Sequence, residues 1–199
     1  MSAVIAVPVW EDWVTRYLGA ARIIDRVVAT IEAVRGPKTV VFYGEKARKL
    51  GISADASDLP FGLREFFDQL RTAHAEFDVV EVVFPETPLL SSASLERAIA
   101  LLEQSAEPGL VAVTGRQQLH AQPPSRVLGC YAFKPGGRKE KQQDLLAMAA
   151  APIGLGAGSR TNAIPRQVEI ISISQIEAIT LEDEEDFHLA ELVLTYGLK

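Results

Sequence analysis

The chain has 199 residues, 48% of them apolar, with 20 basic and 26 acidic side chains and a formal charge of -6. That apolar content excludes a disordered chain, and the length suits one compact domain at roughly 150 residues per domain. No apolar run approaches the roughly 18 residues that span a bilayer, MSAVIAVPVW lacks the pattern of a secretory signal, and a pI near 5.2 argues against general nucleic-acid binding but allows a local basic pocket.

Ala3–Val9 is a short β-branched run with Pro8 near its end, which predicts a buried strand followed by a turn. From Ala21 to Val34, Ile23, Ile24, Val27, Val28, Ile31 and Val34 recur at steps of three and four, a helical period stopped by Gly36-Pro37. Thr39–Tyr43 reads as a second strand ended by Gly44. Pro60–His74 carries Leu63, Phe66, Phe67 and Leu70 on one helical face. Phe77–Phe84 is a third strand stopped by Pro85 and Pro88. Ser94 is placed to cap a helix over Leu95–Gln104, and Leu110–Thr114 is a fourth strand. The four strands are expected as neighbours in one sheet with helices on both faces, because alternating strands and helices build βαβ units and a mostly parallel sheet. Ligands of such sheets sit at the carboxyl ends of the strands. Those ends lie near Val7-Pro8-Val9, Tyr43-Gly44-Glu45, Phe84-Pro85-Glu86 and Thr114-Gly115-Arg116.

Beyond Gly115 the pattern changes. Gln117–Ser125 is polar, Val127–Lys134 is a strand, Glu140–Ala151 a helix, Pro152–Ser159 a glycine-rich loop, Gln167–Ile173 a strand, and Leu189–Tyr196 part of a closing helix. This half is read as an extension of the same domain, residues 1–199, with 117–166 as an extension or dimerisation arm. Cys130, the only cysteine, lies within an apolar strand and reads as an inert buried thiol; a cytoplasmic, reducing setting is expected. Gly154, Gly156 and Gly158 do not join a first strand to a helix, so they make a linker rather than a phosphate cradle. Lys134–Lys141 is basic and suits either an anionic ligand or a solvated turn. His74, His120 and His188 form no metal-binding spacing. Trp10 and Trp13 can stack on a base or sugar, or pack into the core.

Three segments, and more weakly a fourth at Leu18–Val34, resemble the sugar-nucleotide cytidylyltransferases, especially the acylneuraminate type. FDVVEVVFPETPLLSSASLERAIALLE (Phe77–Glu103) is similar to that family's strand, "LQPTSPLR" loop and following helix. GCYAFK (Gly129–Lys134) resembles "NGAIYAF", and AITLEDEEDFHLAE (Ala178–Glu191) resembles "AIDIDTPEDLELAE" without a gap. LGAARIIDRVVATIEAV (Leu18–Val34) is similar to "LGGKPLIDRVVAAIEAV". The implied fold is α/β: a three-layer α/β/α Rossmann-like sandwich of the nucleotidyltransferase, or GT-A-like, type with a mostly parallel sheet.

The chain departs from the family where phosphate should bind. A Gly- and Lys/Arg-rich loop such as "PARGGSKGIPRKN" is replaced by Val9–Tyr17 (VWEDWVTRY), with neither glycine nor lysine and with Glu11 and Asp12 in its place. Such a loop normally holds the triphosphate through backbone amides and basic side chains. Here only Arg16 and Arg22 supply cations. Phe84 stands where the family has a glutamine near the nucleoside, and Leu90 where it has an arginine. The two metal-binding aspartates become Thr180 and Glu182, with Asp183 in a helix N-cap slot.

What the resemblance implies is CTP-dependent nucleotidyl transfer to a sugar acid or related acidic metabolite. Arg16 and Glu182 would be catalytic. Pro8, Val9, Arg16, Arg22 and Phe84 would contact the nucleotide, and Glu86, Thr87 and Arg116 the acceptor. Glu182 and Asp183 would hold Mg2+; read without the resemblance, Glu182, Asp183 and Asp186 are equally a helix cap with acidic first-turn residues. A homodimer is implied too, and Leu145-Leu146-Ala147-Met148 suits its interface. Two rival readings remain: a non-catalytic, degenerate member of the fold that binds a partner or metabolite, favoured by the missing Gly/Lys loop, and a GT-A-type glycosyltransferase with Glu182-Asp183 as a degenerate metal motif.

Overall fold

The computed structural model describes residues 2–60, 63–104, 110–115, 130–135 and 168–198. Its main sheet has six strands: β1 (Ala3–Pro8), β4 (Lys38–Tyr43), β5 (Val79–Val83), β6 (Leu110–Gly115), β7 (Cys130–Phe133) and β8 (Val168–Ile173). Their spatial order is β4-β1-β5-β7-β6-β8. Two-residue strands β2 (Tyr17–Leu18) and β3 (Ala21–Arg22) form a separate antiparallel hairpin.

β1 pairs in parallel with β4 on one side and β5 on the other, and β6 pairs in parallel with β8. The mostly parallel sheet is therefore observed, with one correction. β6 is not the neighbour of β5: the antiparallel β7 lies between them, matching Val82 and Ala112 to the same Tyr131. A pairing made by a strand so distant along the chain leaves no trace in the local pattern of either partner.

Alternation along β1 explains the layers. Ala3, Ile5 and Val7 pack in one cluster with Ile24, Val27 and Ile31 of α1 (Ile23–Ala33) and with Leu95, Ala98 and Leu102 of α4 (Ser92–Gln104). Val4 and Ala6 point the other way, toward Phe66, Phe67 and Leu70 of α3 (Leu63–Ala73). A strand buried on both faces reads as a continuous apolar run, which is how β1 appears in the sequence; β5 follows it except at its central, buried Glu81. The closing helix α5 (Glu184–Tyr196) packs through Phe187 and Ala190 on Leu18, Ile23 and Leu181.

Two local features differ from expectation. α4 begins at Ser92, and the cap is Ser91, whose Oγ accepts from the Ser94 amide at 3.2 Å. The Ser94 hydroxyl, expected to cap, instead donates to Glu177 Oε1 at 2.8 Å. A five-residue helix α2 (Glu45–Lys49), too short to show a period, follows Gly44. The expected helix at Glu140–Ala151, the loop at Pro152–Ser159 and most of the 117–166 arm lie outside the described residues.

Candidate functional site

The carboxyl ends of β1, β4 and β5 meet at one edge of the sheet. There the Val9 amide donates to the Tyr43 carbonyl at 2.8 Å, and the Gly44 amide to the Ser57 carbonyl at 2.8 Å. Gly44 has φ of 111°, and a Cβ on it would lie 2.5 Å from the Val9 carbonyl oxygen. Only glycine lets β4 approach the end of β1 this closely. Pro8 has no amide and the Val9 amide is engaged, so neither residue has a free backbone N–H to offer a ligand.

The segment that follows β1 carries paired charges. It forms a short turn of 3-10 helix over Asp12–Thr15. Lys46 Nζ, on α2, lies 3.3 Å from both Glu11 Oε2 and Asp12 Oδ1. Arg16 donates to both carboxylate oxygens of Glu184, one at 2.8 Å, and its guanidinium carbon sits 3.8 Å over the Phe187 ring. The bond from Arg16 holds the Glu184 carboxyl below its usual range. Arg22 makes a two-pronged pair with Asp25 at 2.7 and 2.8 Å, which lowers the Asp25 carboxyl in the same way. Arg16 and Arg22, the two expected phosphate contacts, thus each already bond a carboxylate in the geometry that would otherwise grip a phosphate.

The aromatic groups form a second part of this edge. Trp10 stacks on Phe84 with ring centroids 6.1 Å apart and planes 13° from parallel, and meets Phe66 edge-on at 5.9 Å. Phe84 is 4% exposed, whereas Trp10 keeps some exposure. Trp13 packs between the α1/α4 cluster and the α5 cluster. Both tryptophans are half-buried: Trp13 packs against the α1/α4 and α5 clusters, and Trp10 against the α3 cluster.

Beyond Phe84 the loop carries Glu86 and Thr87. Burial pushes the Glu86 carboxyl up to about 7, helped by nearby Glu11, and its Oε2 is buried without a hydrogen-bond partner. Its backbone oxygen accepts from the Leu181 amide at 2.8 Å, which docks the acidic C-terminal segment beside the strand ends. Thr87 is buried, and its hydroxyl donates to the Phe84 carbonyl at 3.0 Å, so this side chain closes the turn after β5. Arg116 lies outside the described residues.

The C-terminal acidic segment is organised as a cap. Asp183 accepts from the Glu185 and Asp186 amides at 2.8 and 3.0 Å, and Asp186 accepts in return from the Glu182 and Asp183 amides. The donor set fits a hard dication only in part. Glu182 presents an exposed carboxylate, while Asp183 is committed to the helix end and the Thr180 hydroxyl bonds the Ala178 carbonyl. Among the described residues, no three His, Cys, Asp or Glu side chains cluster so as to hold an ion. Cys130 is buried as expected, and its thiol is pushed far up by burial and by the adjacent Glu81. Sequence reasoning missed Lys46 and the Arg16–Glu184 pair. Lys46 belongs to the unexpected α2, and Arg16 and Glu184 are 168 positions apart.

No protein-family model matches the chain, and no curated protein matches it by sequence. Solved structures do match. CMP:2-keto-3-deoxy-manno-octonic acid synthetase complexed with CTP aligns over 100% of both chains at 10% identity, with a TM-score of 0.63. The 4-diphosphocytidyl-2C-methyl-D-erythritol synthase of Anaerococcus prevotii covers 98% of this chain and 96% of its own, at 11% identity and TM-score 0.64. A cytidylyltransferase from Leptospira borgpetersenii covers 100% and 87%, at 13% identity and TM-score 0.61. The chain has the Rossmann-like nucleotidyltransferase fold of these cytidylyltransferases. No helix among the described residues is long and apolar enough to cross a membrane.

Proposed function

We propose that this chain binds a cytidine nucleotide at the carboxyl ends of β1, β4 and β5 and transfers a cytidylyl group from CTP to a sugar acid or related acidic metabolite. The observation that supports this reading is the end-to-end likeness to a synthetase complexed with CTP. In such a transfer the acceptor hydroxyl attacks the α-phosphate, its proton leaves, and the bond to pyrophosphate breaks. Arg16 and Arg22 reach phosphate only by releasing Glu184 and Asp25. Magnesium would neutralise charge on the triphosphate, with Glu182 as the carboxylate offered to it. Glu86 faces the acceptor side, and the working unit is a homodimer.

The test is thermal stability with CTP, UTP, GTP, ATP and CMP, each with and without magnesium. A ligand at a hundredfold its Kd stabilises by about 2.7 kcal/mol, or roughly 5–10 °C in a chain of this size. Selective stabilisation by cytidine nucleotides supports the reading, and no shift with any of them rejects it. Pyrophosphate release from CTP with a panel of sugar acids then tests turnover.

A second reading, a non-catalytic binding subunit, is favoured by one observation: Arg16, Arg22 and Lys46 are each paired with carboxylates of the same chain. It expects nucleotide or metabolite binding with no pyrophosphate released. Light scattering tests the assembly, a homodimer having twice the 21.6 kDa chain mass.

A further inference from the structure

At the strand ends the charges are already paired, and the aromatic surface is not fully covered. Arg16, Arg22 and Lys46 each bond a carboxylate, and Glu11 and Asp12 share the single ammonium of Lys46, which leaves negative charge in excess at this edge. A triphosphate approaching here meets repulsion and must break existing ion pairs to gain new ones. Trp10 is different. It follows Pro8-Val9 directly, at the place where ligands of parallel sheets bind. The indole lies nearly parallel to Phe84 and at a steep angle to Phe66, and the residue is half-buried. A planar ring that is already ordered loses little entropy when a base stacks on it.

We infer that Trp10 is the stacking platform for the nucleotide base, and that the base, not the triphosphate, carries nucleotide recognition in this chain. The inference rests on the nucleotide-binding reading above and adds the part of the ligand that is recognised. Stacking accepts any base, so the choice of cytidine comes from the nucleotide-binding reading, and what Trp10 adds is affinity for the nucleoside in any phosphorylation state: the free nucleoside, the monophosphate and CMP-bearing products as well as CTP.

The experiment uses the full chain carrying Trp13→Phe, so that Trp10 is its only tryptophan. Cytidine, CMP and CTP are titrated separately with magnesium, following Trp10 emission. All three are expected to quench it, with apparent Kd values within about fivefold of one another. Trp10→Leu in the parent chain should weaken all three by a common factor of about 10 to 100, as loss of a base–aromatic stack does. Trp10→Phe, which keeps a ring against Phe84, should recover most of that loss, and a parent-like melt of the Leu variant without ligand shows that it remains folded. CTP binding a hundredfold or more tighter than cytidine overturns the inference. So does CTP stabilising the chain while Trp10 emission stays constant. In both cases the nucleotide-binding reading survives. If none of the three ligands shifts the melt of the parent chain, that reading fails and the inference fails with it.

Discussion

Glu81 gives a sharp test of how this fold treats a buried charge. It is the central residue of β5, 0% exposed, and its neighbours along the strand, Val79 and Val83, point into the cluster formed with α1 and α4. One carboxyl oxygen receives a weak bond from the Cys130 thiol at 3.5 Å, and Oε2 has no partner. Burial pushes this carboxyl up to about 8 from the ordinary 4.5. The folded chain therefore keeps a proton that the unfolded chain releases near pH 4.5. Stability from this group is full below that pH, falls as pH rises across the window, and levels off above about 8. The slope for one proton is about 1.4 kcal/mol per pH unit. Between pH 5 and 7.5 the loss is about 3 kcal/mol, a large part of the roughly 5–15 kcal/mol that holds a typical domain together.

The perturbation is Glu81→Gln, which keeps the shape and removes the titration. Urea denaturation of both proteins at pH 5, 6, 7 and 8 gives a difference in stability at each pH. Glu86, which titrates in the same window, is present in both chains and cancels. The parent should lose about 3 kcal/mol relative to the variant between pH 5 and 7.5, or roughly 6–12 °C in melting temperature. A difference that stays flat across this range refutes the argument, because it means Glu81 is ionised or solvated in the folded chain.

Three further outcomes are expected. Gly44→Ala should destabilise by roughly 1–3 kcal/mol from backbone strain alone, with more from the overlap of its Cβ with the Val9 carbonyl; a melt within a degree of the parent would contradict this. Glu184→Gln should free Arg16 and tighten CTP about tenfold while leaving cytidine unchanged; equal affinities in calorimetric titrations would mean that the pair does not compete with phosphate. Glu182→Gln should leave the unliganded melt unchanged, since the side chain is exposed, and remove the increment that magnesium adds to CTP stabilisation; an intact increment moves the metal away from this residue.

The elements legible in the sequence are those whose partners are implied by their own pattern. β1, and β5 apart from its buried Glu81, are apolar without alternation because both faces of the sheet are covered, and α1 shows its buried side as a helical period. β7 could be recognised as a strand but not located, since its position between β5 and β6 depends on two distant pairings. The cap at Ser91 rather than Ser94 was hidden for a similar reason. The sequence offers both hydroxyls, and Glu177, 83 positions from Ser94, engages that second one.

The same limit applies to the site, and it changes what the missing glycine–lysine loop means. From the sequence, Glu11 and Asp12 are charges placed where phosphate should bind, and Arg16 is the remaining cation. In the folded chain these residues are parts of two closed ion-pair sets: Glu11 and Asp12 with Lys46, and Arg16 with Glu184 over Phe187. A cradle of free amides and lysines is completed by an anion, so its ordering depends on the ligand. A loop whose charges are paired within the chain, and whose Trp10 packs on Phe84 and Phe66, makes these contacts without a ligand. Introducing a lysine at one loop position should not produce strong triphosphate binding, because Glu11, Asp12 and Glu184 would compete for the cation.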